Sequence, residues 1–273
     1  MYSGTTLTPI SGRILGAHQK IDRLAYAGLT KLLGNTHSFP TSHQILHFEG
    51  AKGPDAIKRK SPAHDEPWHY IQPFDPDDQQ LLMLIACHYK TLVAALSDDD
   101  MIRAGFEAAW LAHALVDGLT PAHQFPYEER LSELRGGAGK SSRTTIKTKL
   151  VMPGETTGEQ LRNNWRMWGP GGLLTTHGLF EFGIAGIIAP LHYKPFVPTP
   201  KLLAKAKKSG AAAFFAEQAR TVAGLQIYEQ YQRRGWTPYV AKLVRTRLLP
   251  LIVETVTTVW YVAAVEAQKG RAT

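Results

Sequence analysis

The sequence predicts an all-α protein, a single helical domain over residues 1–273 with one long loop insertion at about 124–172. Apolar residues recur every three or four positions through most of the chain, the period of a helix with one buried face. No run alternates apolar and polar residues as a half-buried strand does, and there is no heptad pattern or internal repeat. Two glycine clusters, Gly136-Gly-Ala-Gly and Gly169-Pro-Gly-Gly, bracket a basic, polar segment unlike its flanks.

The first helix is expected from near Ser11 to about Leu33, closed by Gly34-Asn35, with the stripe Leu15, Ala25, Leu29 and Leu32. His18 falls on that stripe. Asn35 to Asp78 is irregular and rich in Pro, Gly and His, and long connections of this kind are often functional. It contains Pro54-Asp55 and the dense run Pro62-Ala-His64-Asp65-Glu66-Pro67-Trp68-His69-Tyr70. A helix follows over Gln79–Leu96. The aspartates Asp98 to Asp100 then cap the next one, Met101–Asp117.

That second helix carries the most informative stretch. Its stripe runs Ile102, Phe106, Trp110, His113 and Asp117, so an imidazole and a carboxylate four residues apart point toward the core. A carboxylate there is costly unless paired, and a bound cation would pair it. Pro121 breaks the helix and lets His123 turn back toward the same place. Past the insertion, which reads as mobile linker, a helix resumes near Leu173 with the stripe Leu173, His177, Glu181, Ile184 and Ile188. The Gly136 cluster does not fit a phosphate-cradling loop, having no strand before it and no Gly-Lys-Ser at the required spacing. Two long helical patterns end the chain, Lys201–Arg233 and Thr237 onward, the latter kinked at Pro250.

Thirty-one Lys and Arg against 23 Asp and Glu give a net charge of +8, which favours anionic partners. The lone Cys87 reads as a small buried hydrophobe, and no disulfide forms within the chain. No signal peptide is visible at the start, so a cytoplasmic protein is expected. The most apolar segment, Leu248–Ala267, is interrupted by Pro250, Glu254 and Glu266. It reads as a core helix, and no transmembrane segment is expected.

For any one of these histidines, a hydrogen-bonded core side chain is the commoner explanation. Two His-x-x-x-carboxylate pairs on buried stripes of an all-helical chain instead fit an internal metal site, and imidazole plus carboxylate suits zinc or a similar divalent ion. His113-x-x-x-Asp117-x-x-x-Pro121-x-His123 followed by His177-x-x-x-Glu181 resembles the zinc-dependent phospholipase C family, whose framework is shared with single-strand-specific zinc nucleases. His18 upstream, Pro54-Asp55, and Trp68-His69-Tyr70 with Phe74-Asp75-Pro76 are similar in order and spacing.

The resemblance implies a helical fold with two or three zinc ions in a cleft. Asp55, His69, His113 and Asp117 would hold one, His123, His177 and Glu181 a second, and His18 a third bridged by Asp117. In that family an N-terminal tryptophan supplies its amino group and carbonyl to the third ion, whereas no tryptophan here precedes Trp68. Further departures are Ala114 and Val116 within the signature, and the long gap between His123 and His177. On the residues alone, Asp55 competes with Asp65 and Glu66, and His69 with His64; the resemblance favours Asp55 and His69. His37, His43, His47, His88 and His192 read as surface or hydrogen-bonded side chains.

The implied activity is hydrolysis of a phosphodiester, with Asp55 as ligand, base or both, and paired ions clamping phosphate oxygens and activating water. A phospholipid is favoured over a nucleic acid as substrate. Lys52, Lys58, Arg59 and Lys60 are candidates for steering it, and Trp68, Trp165 and Trp168 for contacting it. The alternatives are a single-strand nuclease and a non-catalytic helical metal-binding protein.

Overall fold

The computed structural model describes residues 1, 16–34, 38–50, 52–58 and 61–271, and among them every regular element is helical. The expected start at Ser11, the stripe residue Leu15, and His37, Arg59 and Lys60 lie outside the described residues. Helix α1 (Ala17–Leu33) buries His18, Ile21, Ala25 and Leu29 and ends at Gly34, whose φ of 64° suits glycine. Within it, Gly28 lets the 190–200 segment cross, since a Cβ there would lie 2.2 Å from the Phe196 carbonyl oxygen.

Two short helices occupy the region expected to be irregular, α2 (Ser42–Glu49) and α3 (Pro54–Lys58). A capping box starts α2: Gln44 N–H donates to Thr41 Oγ1 at 3.3 Å, and Thr41 N–H donates to Gln44 Oε1 at 2.8 Å. Residues 61–79 stay mostly extended and are tied down by Ala63 N–H to the Arg143 carbonyl, 2.9 Å, and Ile71 N–H to the His123 carbonyl, 3.0 Å.

Helices α4 (Gln80–Ser97) and α5 (Met101–Gly118) pack along their length. Asp100 caps α5 by accepting from Arg103 N–H, 2.9 Å. Two expectations fail here. Cys87 is exposed, because α4 buries Leu81, Ile85, Leu92 and Leu96 and Cys87 falls two residues, about 200° of turn, past Ile85. Ile102 is 71% exposed for the same reason relative to Ala104, where the buried face of α5 begins. From Leu111 onward every residue of α5 is buried, so His113 and Asp117 pass through the middle of the molecule. Gly118 ends the helix at a close approach, where a Cβ would lie 2.5 Å from both Leu81 and Phe215 side chains.

The insertion is not loose linker. It forms α6 (Tyr127–Leu134), α7 (Ile146–Leu150) and α8 (Thr157–Trp168) around a small core of Tyr127, Leu131, Met152 and Met167, with Tyr70 and Leu173 packed against it. These few apolar residues are spread over 41 positions, too thinly to show a period.

Helix α9 (Leu173–Ile188) follows as expected. The pattern over Lys201–Arg233 is three helices, α10 (Pro200–Ser209), α11 (Ala211–Ala223) and α12 (Ile227–Arg234), parted at Gly210 (φ 80°) and Gln226 (φ 50°). After α13 (Pro238–Leu243) a π-helical turn, Val244–Leu248, leads into α14 (Leu249–Arg271). Pro250 has no N–H to donate, and the widened turn just before it absorbs the break. α14 packs on α1, α4 and α5, with Trp260 fully buried and its Nε1 donating to the Ala108 carbonyl at 3.1 Å.

The expectation of no transmembrane segment is overturned. Three helical stretches are long and apolar enough to cross a membrane, Gln80–Ser97, Thr157–Ile188 and Pro238–Arg271, each with an 18-residue segment whose mean hydropathy is 1.3, 1.2 and 1.7 respectively. In the last, an 18-residue segment with no more than two charges keeps its mean within the range of membrane spans.

Candidate metal centre

Five elements converge on the buried end of α5. His113 and Asp117 come from α5 itself, His18 from the first turn of α1, and Asp55 from α3. His123 comes from the short 3₁₀ turn Pro121–Gln124, and His177 and Glu181 from α9. Two sets of donors result, each able to hold a metal ion: His18, His113 and Asp117, and His123, His177 and Glu181. Within each set the ligand atoms lie within 4.8 Å of one another.

In the first set the rings of His18 and His113 stack at 4.1 Å, 9° from parallel. Their Nε2 atoms sit 3.1 Å from Asp117 Oδ1 and 3.2 Å from Asp117 Oδ2, yet neither contact is aligned as a hydrogen bond. The two nitrogens and Asp117 Oδ2 are left as buried polar atoms without a hydrogen-bond partner. Such orphans are rare and ask for an explanation, and lone pairs aimed at a common cation supply one. Asp55 Oδ1 joins this set, 3.6 Å from His113 Nε2.

In the second set His123 Nε2 lies 2.7 Å and His177 Nε2 3.2 Å from Glu181 Oε1, and the two rings stack at 5.1 Å. His123 Nδ1 contacts the His69 carbonyl at 3.1 Å. Both partners of His123 are acceptors. Burial, helped by the nearby Met1 ammonium, pushes this imidazole down to about 4, so the ring is neutral and can donate to only one of them. The remaining lone pair faces an acceptor. A cation there satisfies both. The sets adjoin, with Asp117 Oδ1 3.7 Å from His123 Nδ1.

Two amines occupy the centre. The Met1 amino group lies 2.5 Å from Asp117 Oδ1 and 3.2 Å from Glu181 Oε1. Lys58 Nζ lies 2.8 Å from Asp55 Oδ1 and 3.8 Å from Asp117 Oδ2. Burial would raise all three carboxyls, but these cations and the histidines hold Asp55, Asp117 and Glu181 well below the usual carboxylate range.

His69 stands at the edge. Its Nδ1 contacts the Pro67 carbonyl at 3.0 Å, and its ring lies 5.1 Å from His123. Burial, then Lys58 and His123, hold it well below the ordinary histidine value. It belongs to neither three-residue set, but it lines a narrow slot together with Lys58, Trp68 and His113. The rival candidates are elsewhere. His64 and Asp65 are half-exposed and face each other at 3.4 Å, and Glu66 is bonded to Lys149. His43, His47 and His192 are exposed, and His88 pairs with Glu107 at 2.5 Å. Of the steering candidates Lys52 is exposed, whereas Lys58 sits inside the centre.

Glu49, the last residue of α2, was not foreseen. It is buried, with its oxygens 3.0 and 3.3 Å from His113 Nδ1 and 3.7 Å from His18 Nδ1. It therefore backs both stacked rings from the side away from Asp117, as outer carboxylates commonly orient metal-binding imidazoles. The one local signal is the Thr41-x-x-Gln44 capping box, which starts the helix that delivers it. Tyr70 and Tyr127 were also missed; they stack at 5.5 Å and cover His177, Tyr127 at 5.0 Å from its ring. Comparison of the chain with protein-family models, curated proteins and solved structures finds no match.

Proposed function

We propose that the chain is a zinc-dependent hydrolase of phosphodiesters, of phospholipase C type. The observation that carries this reading is the pair of adjoining His/carboxylate donor sets with buried, unpartnered ligand atoms. All donors are imidazoles and carboxylates, and the only thiol, Cys87, is exposed on α4, which fits zinc or a similar divalent ion. Asp55, His69, His113 and Asp117 would hold one ion, and His123, His177 and Glu181 a second. His18 and the Met1 amino group, both beside Asp117, fit a third. The resemblance asks for an amino group and a carbonyl at that place, of which the Met1 amino group is beside Asp117 and Glu181.

Bound ions of this kind polarise phosphoryl oxygens and bring the pKa of water toward neutrality. The side chains do the rest. Asp55, kept ionised by Lys58 and His113, accepts a hydrogen bond from the attacking water and orients it. Lys58 presents its ammonium to the phosphate. Tyr70 and Tyr127 screen the His177 side from water.

The reading is tested on purified protein by measuring bound zinc, then hydrolysis of a chromogenic phosphodiester, phosphatidylcholine and single-stranded DNA. Two or three ions per chain and metal-dependent turnover of phosphatidylcholine, both lost in Asp117→Ala, are expected. Fewer than one tightly bound ion and no metal-dependent turnover overturn the hydrolase. Turnover of DNA alone moves the assignment to a nuclease.

A further inference from the structure

The insertion carries a surface that the metal centre does not use. Leu161, Trp165 and Trp168 lie at i, i+4 and i+7 on α8, one stripe of the helix, and all three are exposed, Leu161 and Trp165 at 68%. Met167 faces the other way into the small core. Ile146, Leu150 and Val151, in and just after α7, are exposed as well. Trp168 Nε1 donates to the Leu150 carbonyl at 2.7 Å, which brings the ends of the two helices together. Six large apolar side chains thus lie open to solvent on two joined elements, and such patches mark contact sites.

The charge beside the patch says what the contact is. Arg162 and Arg166 run alongside the stripe one residue further on, and Lys147 sits within α7; all three are exposed. None is ion-paired among the described residues. Residues 140–168 hold six Lys and Arg against two Glu. Cations flanking a Trp- and Leu-bearing helix face are the pattern of a helix lying in the interface of an anionic bilayer. Single-stranded nucleic acid also attracts cations and aromatics, but it stacks on planar rings. Four of the six exposed side chains are aliphatic, which favours acyl chains.

We infer that α7 and α8 form a docking face for a phospholipid surface rich in anionic headgroups. The inference goes beyond the proposed hydrolysis and stands without it. The face is nevertheless well placed for it, since the same insertion sets Tyr127 against His177 and Lys140 Nζ 3.6 Å above the Trp68 ring.

The test is co-sedimentation with phosphatidylcholine vesicles, with and without phosphatidylserine. It is run in EDTA, with circular dichroism confirming the fold, so that loss of hydrolysis leaves this result untouched. Wild type is expected to partition roughly tenfold or more better onto the phosphatidylserine vesicles, and to come off as salt rises. Leu161→Ser with Trp165→Ser lowers partitioning by roughly tenfold on both vesicle types. Arg162→Gln with Arg166→Gln lowers it only where phosphatidylserine is present. Trp165→Phe with Trp168→Phe keeps binding but loses most of the quenching of tryptophan emission by brominated acyl chains. No vesicle binding by wild type, equal binding by the serine double variant, or preference for single-stranded DNA over phosphatidylserine vesicles overturns the inference. Self-association abolished by the serine variant, without vesicle binding, does the same and assigns the face to a second copy of the chain.

Discussion

His113 and His123 lie ten residues apart on one stretch of chain, and their surroundings fix different protonation states on them, one ring cationic and the other neutral. Burial disfavours the imidazolium of both. At His113, Glu49 on Nδ1 and Asp117 and Asp55 on Nε2 outweigh burial and raise the ring to about 10. At His123 the Nδ1 partner is a neutral carbonyl and a Met1 ammonium is close, so burial wins and the ring falls to about 4. The state of a buried imidazole is thus set by what its second nitrogen faces. The His113 set must give up a proton before a cation can enter, whereas the His123 set has its lone pair ready.

The largest test of this difference removes what the sets share. Asp117 faces His18, His113, Lys58 and Met1, and reaches toward His123. Asp117→Asn keeps the shape and removes the charge. Hydrolysis and bound metal should fall beyond the roughly 10–100-fold typical of an outer-sphere change. Stability should fall by roughly 3–5 kcal/mol, because the buried Met1 ammonium loses its nearest counter-charge. Metal analysis and denaturant unfolding read the two effects. Equal metal content in variant and wild type would remove Asp117 from the centre.

Glu49→Gln separates the two sets. The amide still fills the space behind His18 and His113 but no longer carries the charge that orients and polarises them. Metal affinity of the His113 set should weaken by roughly 10–100-fold while that of the His123 set stays unchanged. Titration with a spectroscopic divalent probe distinguishes them. A parallel loss at both sets contradicts the division drawn here.

A smaller effect follows from pH. His113 carries a proton below about 10, and an ion needs the neutral ring, so each ion entering that set expels one proton. Apparent affinity there should rise tenfold per pH unit toward about 10. His123, neutral above about 4, has no proton to release on binding an ion through the same range. Calorimetry in buffers of different ionisation enthalpy measures the proton released. No released proton at neutral pH means that His113 is not protonated in the metal-free protein.

How much of this could be read from the chain follows from the same geometry. His113, Asp117, His177 and Glu181 stand four apart on helices within apolar tracts, where period alone aims them inward. His18 was legible as one imidazole on a stripe. Asp55 and His69 were not separable from Asp65, Glu66 and His64 by local pattern, because loop and short-helix residues have no period. What distinguishes them is tertiary: α3 brings Asp55 Oδ1 to 3.6 Å from His113 Nε2, and the bond from Ile71 N–H to the His123 carbonyl holds the neighbouring His69 ring 5.1 Å from that of His123. Glu49 and Met1 reach the centre across 64 and 116 residues, so nothing near them in sequence marks their role. The insertion escaped because a core of four residues leaves no stripe. Cys87 and Ile102 show the reverse failure, apolar context without an inward phase.

The mildest test bears on how Glu49 is delivered. α2 is only eight residues long, too short to persist without its caps and its packing on α5. Thr41→Ala removes the oxygen that accepts from Gln44 N–H, at a cost of about 1 kcal/mol. In a chain of this size that lowers the melting temperature by about 2–4 °C. Glu49 lies at the opposite end of the helix, beside Gly50, so fraying at Thr41 should reach it only in part. Metal affinity of the His113 set should therefore fall less than in Glu49→Gln, and that of the His123 set should not change. A fall as large as that of Glu49→Gln would mean that the position of α2, rather than the charge of Glu49, governs the His113 set.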